Sequence, residues 1–570
     1  MAAHLKKRAL AEFTRVIQEE KPPEPKRLRL IQKPPPSVPP VQLELHTAAN
    51  SQEALQSLVA FEQHLPVDLA TAENAVRGLL DHFYKEKESF VRVKVLLVLA
   101  QVVKTPGFNA AAIVDDLLNA FKREVSHTVS SQVMNTLLVI GKLQPTDRKL
   151  HGQLISVANE KLQDTSHLVR CKCLELIGAL ASCDSMSPVE GESDSLLQVQ
   201  KMLCSYTQDQ DARVRASALR ALASLHERGI LLDMYVYRQA GGALTDDYES
   251  VRLHAVKLLW VMAHLYPESK VTLKKSKEKI RLVDDTFVKI CNMMNDLSWK
   301  VRAEAAGLLG SLHLVSPRFL EQTLDKKLMS NMRLKMSAHE RQKEHFQSGE
   351  WASGNKWADD APRGEVDEDD VSLMSGGACG AFVHGLEDEY LEVRNAAVDS
   401  LCELASHKPS FANQSLDYLV DMFNDEIESV RLNAINSLRK MCQHFSLRED
   451  QVEIITSGLL KDFNHEIRES VHNMFCCATL ATTNGLRDII FALLDNLKRY
   501  PQDRASIWKC MQHLGEHHPA LSLPLIPELL SVYVFILVYL SCQVYAAPRR
   551  APPSPLSASN TRTSQCSHVL

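Results

Sequence analysis

An acidic residue and an arginine stand six positions apart again and again in this chain. The pairs are Asp164 and Arg170, Asp209 and Arg215, Asp246 and Arg252, Asp296 and Arg302, Asp388 and Arg394, Asp425 and Arg431, and Asp462 and Arg468. Two kinds of chemistry suit such residues. A planar guanidinium takes a carboxylate or a phosphate through two parallel hydrogen bonds. A row of arginines would therefore bind phosphates or acidic peptides, or it would pair internally with the acids that accompany it. Each arginine comes with its own acid at fixed spacing, which favours the internal ladder, holding register between repeated units.

The elements that carry the pairs repeat as well. The residue before each arginine is Val169, Val214, Val251, Val301, Val393, Val430 or Ile467. Glu86, Val91 and Arg92 fit with a conservative change, and Glu124, Val129 and Ser130 fit with the arginine lost. Successive arginine positions lie 37 to 50 residues apart, except for a step of 92 between Arg302 and Arg394 that holds one interval plus an insertion. After each arginine, segments such as "RLNAINSLRKMC" and "RNAAVDSLCELA" place apolar residues at helical spacing, giving one buried stripe. Another apolar helix, such as "SLDYLVDMFND", precedes several of the acids. Each unit is thus helix, turn, helix. The acid in the turn is expected to accept backbone N–H bonds at the start of the second helix, with the Val or Ile filling the core beneath. This resembles the HEAT repeat. The expected fold is all-α, an α-solenoid of HEAT-like helical hairpins with a disordered basic N-terminal tail and an irregular C-terminal tail. A solenoid offers a long binding surface and normally binds other macromolecules.

Composition agrees and narrows the function classes. With 570 residues the chain is too long for one core. Aromatic residues are 6% and the net charge is −5, which disfavours both an all-β fold and a general polyanion binder. The 13 cysteines include no CxxC pair and read as reduced core thiols. No Walker A loop, Rossmann glycine fingerprint, GxSxG or HExxH motif is present. His517-His518 and the stretch "HGLEDE" at 384–389 lack metal-ligand spacing. No catalytic residue, cofactor or metal is expected.

Along the chain, residues 1–45 are Pro-rich and basic, and read as disordered. Lys26, Arg27 and Arg29 form a short basic cluster that is either a nuclear import signal or a solvated tail. HEAT-like repeats are expected over 46–316. Residues 317–375 read as an inserted basic helix (Lys326, Lys327, Arg333, Lys335, Arg341, Lys343) and an acidic loop. Trp351 and Trp357 in that loop are either anchors onto the solenoid, the favoured reading, or hot spots for a partner. Repeats resume over 376–530, and 531–570 is a divergent tail. Its apolar stretch 529–547 is either a membrane anchor or an alternative ending to a longer chain.

Several stretches outside the repeat motif are more specific. "MAAHLKKR", "LHERGI", "LYPES", "IRLVDD", "LEQTLDKKLMS", "KWADDAP", "GACGAFVHGLEDE", "LVDMFNDEIESVRL" and "DRASIWKC" occur in that order. Together they are similar to the subunit 4 family of the Integrator complex across residues 1 to about 530. The resemblance implies a nuclear HEAT-repeat scaffold with no activity of its own. It would hold the complex's RNA endonuclease subunit and that subunit's inactive homologue, and contact other Integrator subunits. Any RNA contact would be indirect. The module so formed cuts small nuclear RNA precursors at their 3′ ends and acts in transcription termination. The family's chain continues past the "PELL" at 527–530, and this chain departs from it at Ser531. The resemblance implies that the regions beyond carry much of the family's docking surface for the nuclease pair, so this form is expected to keep the solenoid and to bind the nucleases weakly or not at all. Two other classes stay open: a transport or trafficking solenoid, and an adaptor tethered to a membrane through 529–547.

Overall fold

Short polar residues begin the helices, as backbone chemistry requires. The Asp147 carboxylate accepts the Leu150 N–H (3.0 Å), Asp233 accepts that of Tyr235 (2.7 Å), and the Thr482 hydroxyl accepts that of Gly485 (3.2 Å). Each supplies a partner to a donor that the helix itself leaves orphaned. The computed structural model describes residues 43, 45, 50–181, 192–272, 279–325 and 379–532. The cluster Lys26, Arg27 and Arg29, the basic stretch 326–343, Trp351, Trp357, the acidic run and residues 533–570 lie outside the described residues.

The chain forms two compact units, divided between Ala112 and Ile113. The first holds α1 (Ser51–Glu62), α2 (Leu69–Lys85) and α3 (Ser89–Val102). Asn50 and Asp68 cap α1 and α2, and α3 packs through Val91, Val95, Leu96, Val98, Leu99 and Val102, all buried.

The second unit is a succession of helix pairs. They are α4 (Val114–Arg123) with α5 (His127–Leu143), α6 (Arg148–Lys161) with α7 (His167–Leu180), α8 (Glu192–Ser205) with α9 (Ala212–Glu227), and α10 (Met234–Ala243) with α11 (Glu249–Leu265). Next come α12 (Leu282–Met293) with α13 (Trp299–Leu309), then the short α14 (Pro317–Gln322) and α15 (Ala381–Leu386) ahead of α16 (Leu391–His407). The series continues with α17 (Pro409–Asp421) and α18 (Glu428–Met441), α19 (Glu449–Ser457) and α20 (His465–Phe475), and α21 (Thr483–Arg499) and α22 (Arg504–His517). Two short helices follow, α23 (Pro519–Ser522) and α24 (Ile526–Val532). Each second helix packs on the second helices before and after it, from α5 through α22. Residues 529–532 lie in α24, and among the described residues no helix is long and apolar enough to cross a membrane.

The helices are interrupted in places that the helical pattern did not foretell. Strands β1 (Lys270–Thr272) and β2 (Lys279–Arg281) pair antiparallel between α11 and α12, and β3 (Ser446–Leu447) pairs in parallel with β4 (Thr479–Leu480). The first pair hides in the lysine-rich run "KVTLKKSKEKIR", where Val271 and Ile280 are the sole β-branched hydrophobes. Three apolar residues in twelve, Val271, Leu273 and Ile280, leave too little period-two signal to read as a hairpin.

Close approach of second helices depends on small residues. A Cβ at Gly178 in α7 would lie 2.7 Å from the Ala221 Cα in α9, a backbone atom that cannot step aside. A Cβ at Gly310, after α13, would meet the Ser400 Cα of α16 at 2.9 Å. Gly178→Val is therefore expected to force α7 and α9 apart and to destabilise the second unit by about 1–3 kcal/mol. Loss of the helical circular dichroism signal at lower urea checks this, and an unchanged urea profile would contradict it.

Candidate functional site

The turn between the two helices of a pair is built around the repeated acid. The Asp164 carboxylate accepts the Ser166 N–H at 2.9 Å, and Asp209, Asp246, Asp296, Asp388, Asp425 and Asp462 accept the N–H two residues ahead at 2.8–3.0 Å. The bonded residue is itself the N-cap, so the acid stands two positions earlier than a capping residue does. The sequence expectation of N–H bonds at the helix start is thereby corrected by two residues: the acid fixes the turn, and the cap is a separate residue. The hydrophobic position follows, with Val169, Val214, Val251, Val301, Val393 and Val430 at 0% exposure and Ile467 at 1%.

The arginine that ends the motif binds in two directions. Its Nη1 donates to the backbone carbonyls of its own turn's acid and of the next residue: for Arg252, Asp246 O at 2.9 Å and Asp247 O at 3.1 Å. The same fork is present at Arg170, Arg215, Arg302, Arg394, Arg431 and Arg468. The other nitrogens reach the carboxylate of the following turn. Arg170 meets Asp209 at 2.9 Å, Arg215 meets Asp246 at 2.7 Å, and Arg252 meets Asp296 at 2.6 Å. Arg302 meets Asp388 at 2.6 Å, Arg394 meets Asp425 at 2.8 Å, and Arg431 meets Asp462 at 3.0 Å. Within one repeat the arginine thus takes the acid's carbonyl, and between repeats it takes the acid's side chain. The Asp246 carboxylate holds the Arg215 guanidinium above its ordinary range.

The sequence motif did not reveal the last rung. Arg468 pairs with Asp503, Nε to Oδ2 at 2.6 Å and Nη2 to Oδ1 at 3.2 Å, in the most buried of these pairs, with side chains 1% and 0% exposed. The Arg468 guanidinium lies 3.7 Å from the Tyr500 ring centroid. Six residues after Asp503 stands Lys509, preceded by Trp508, so neither the arginine nor the β-branched residue marks this turn. At the other end of the series Ser130 occupies the arginine position, and His127 at the start of α5 meets Asp164 at 3.2 Å. His465 at the start of α20 meets Asp503 at 2.9 Å in the same way.

Each guanidinium is committed to two carbonyls and a carboxylate, an arrangement that suits holding repeats together, although the buried Nε of Arg170 and Arg431 has no hydrogen-bond partner among the described residues. Burial pushes the thiols of Cys173, Cys204 and Cys442 up to about 12, which keeps these three in the unreactive thiol form. Among the described residues, no group of His, Cys, Asp and Glu is arranged to hold a metal ion.

Second helices stacked on second helices, with one acid turn and one arginine in each pair, define an α-solenoid of HEAT-like repeats. The HEAT repeat family matches residues 416–445, from within α17, through the Asp425 turn, to just past α18. Across 94% of its length the chain is similar to Integrator complex subunit 4, being 50% identical over 535 residues to the Homo sapiens protein. It is 40% identical over 501 residues, 86% of this chain, to the Drosophila melanogaster protein. The chain spans about half the length of these curated relatives, 55% of the human protein and 48% of the fly protein. Among solved structures it is similar to the karyopherin Kap121p bound to the extreme C-terminus of the protein phosphatase Cdc14p. That match has a TM-score of 0.45 at 14% identity and covers 89% of this chain and 52% of that one.

Removing one partner of a buried pair strands a charge. Asp503→Ala is expected to cost about 3–5 kcal/mol. Arg213→Ala, which breaks the exposed pair with Asp211 (64% and 22% exposed), is expected to cost less than about 1 kcal/mol. Urea denaturation of the two variants checks the contrast, and equal costs would contradict it. A second expectation concerns His472, which hydrogen-bonds Ser506 Oγ through Nδ1 (3.0 Å) and Asn496 Nδ2 through Nε2 (3.4 Å). Burial pushes its imidazole down to about 4, with Asp503 opposing and Arg468 assisting. The folded state keeps it neutral while the unfolded chain takes up a proton near pH 6.5. Stability from this site is therefore full above about pH 6.5 and falls as pH drops toward 4. Amide exchange in α20 and α22 should speed up, relative to wild type at neutral pH, as pH is lowered through that window once intrinsic rates are divided out. His472→Asn should blunt the effect.

Proposed function

We propose that this chain is a non-catalytic scaffold of the nuclear Integrator complex. In this reading it supports the RNA endonuclease subunit and its inactive homologue in small nuclear RNA 3′-end processing and in transcription termination. The observation that carries the proposal is the 50% identity to Integrator complex subunit 4 over 94% of the chain. The geometry supports it. An unbroken series of rungs from Arg170–Asp209 to Arg468–Asp503 holds helix pairs in register, and register between repeats is what a large display surface needs. The ladder acts as internal structure, because its guanidinium groups are already committed to protein acceptors. Lys26, Arg27 and Arg29 serve nuclear import in this proposal, and the blocks 46–316 and 376–530 flank an inserted segment at 317–375.

Affinity purification of the tagged chain from nuclear extract tests the reading. Recovery of other Integrator subunits, with the endonuclease pair at low yield, is the expected result. Recovery of neither nuclease nor any other Integrator subunit would overturn the proposal for this chain. Alanine at Lys26, Arg27 and Arg29 should shift the tagged chain toward the cytoplasm in fluorescence images, and an unchanged distribution removes the import role from these residues.

A further inference from the structure

Three loops between successive repeats converge on a patch that is rich in cations. The β1–β2 register sets Lys270 opposite Arg281 and Thr272 opposite Lys279, so Lys270, Lys279 and Arg281 share one face of the hairpin. Like charges opposite one another weaken a strand pair. Arg281 is fully engaged: it donates to Asp284 (3.0 Å), Glu268 (2.9 Å), the Leu314 carbonyl (2.9 Å) and Ser316 Oγ (2.8 Å). Those bonds tie the hairpin to the loop before α14. Lys408, from the loop after α16, donates to the Val315 carbonyl of the same loop. His313 and His407 stack there with ring centroids 3.8 Å apart and planes at 26°.

The charge balance of this seam is positive. Glu268 and Asp284 are taken by Arg281, and Glu403 lies 3.5 Å from His313. Lys270 and Lys279 are exposed and have no ion-pair partner among the described residues. The Lys408 ammonium has a carbonyl rather than a carboxylate beside it. Burial lowers the Lys408 ammonium from its ordinary range, with Arg281 adding to the shift and Asp284 opposing it. Burial, and then the neighbouring His407, lower His313. Burial leads both shifts and disfavours charge of either sign; the positive balance of the seam comes from Lys270, Lys279 and Lys408.

We propose that this seam binds the phosphate backbone of single-stranded RNA. Lys270, Lys279 and Lys408 supply ammonium groups to successive phosphates, and the exposed ring of His407, backed by His313, offers a face on which an unpaired base stacks. An acidic peptide would satisfy the lysines but leave the imidazole face unused, so RNA fits the patch better. The proposal is independent of the scaffold role: copurification with the nucleases and direct RNA contact are separate measurements.

The test is fluorescence anisotropy of the full chain with a labelled oligouridylate of about 20 nucleotides, between about 50 and 200 mM salt. Lys270→Glu with Lys279→Glu is expected to weaken binding about tenfold or more. It should also reduce the salt slope by about 1.4, the share of two phosphate contacts on a single strand. His407→Ala should weaken binding with the salt slope kept. Lys509→Glu, at another exposed lysine on α22, should leave affinity within about twofold. The proposal is overturned if the hairpin double variant binds like wild type or if Lys509→Glu weakens binding as much. Tighter binding of a labelled polyglutamate than of the RNA would also overturn it, and would assign the seam to acidic protein segments.

Discussion

One guanidinium group, bound to two backbone carbonyls of its own turn and to a carboxylate of the next, is the contact on which the second unit depends. The carbonyl fork uses acceptors that a turn leaves without backbone partners, so the cation sits where the chain already presents negative ends. The carboxylate that completes the rung is itself held by an N–H two residues ahead, so it arrives in place and loses little freedom on pairing. Burial of the charges is tolerated because each guanidinium has two carbonyls and a carboxylate beside it, even where its Nε, as at Arg170 and Arg431, finds no hydrogen-bond partner among the described residues. The most buried rung, Arg468 with Asp503, adds a tyrosine ring over the guanidinium, which covers the remaining open side.

The rung also explains how a long interruption can be carried. Arg302 and Asp388 are 86 residues apart in sequence yet meet in the same geometry as partners 31 residues apart, such as Arg215 and Asp246. Around them the seam is closed by ordinary means: Ser400 Oγ donates to the Ala306 carbonyl (2.5 Å), the Tyr418 hydroxyl donates to that of Leu324 (2.5 Å), and Trp299 stacks on Tyr390. The repeat contacts are short-ranged and local to the seam, so whatever chain lies between Asp325 and Cys379 need not contribute to them.

Much of this was legible in the sequence because the rung needs both a particular charge and a particular distance. Asp at the turn, Val before the arginine and the arginine itself recur at spacings that only a repeated helix pair explains. What stayed hidden did so for physical reasons. Asp503 was missed because its own turn has no arginine to send onward, and the motif registers an acid only with its arginine. His127 was missed because a histidine near a helix start reaches the same carboxylate from a different position than the arginine does. The exact role of the acid was misread by two residues, since fixing a turn and capping a helix both use a carboxylate and a nearby N–H. The β1–β2 hairpin was invisible because lysines conceal the one apolar residue in each of its strands, and its cationic face, joined to loops distant in sequence, exists only once the repeats are stacked.

The directionality of the rung has a consequence for how such a chain can change over time. From α6–α7 through α19–α20, each pair of helices presents an acid toward the pair before it and an arginine toward the pair after it, so the junctions from Arg170–Asp209 to Arg468–Asp503 share one connector with two complementary ends. A unit copied or lost by recombination leaves matching ends behind, and the neighbours can join without new side chains having to arise at the junction. A protein built on such connectors can lengthen or shorten by whole units while its other surfaces diverge freely.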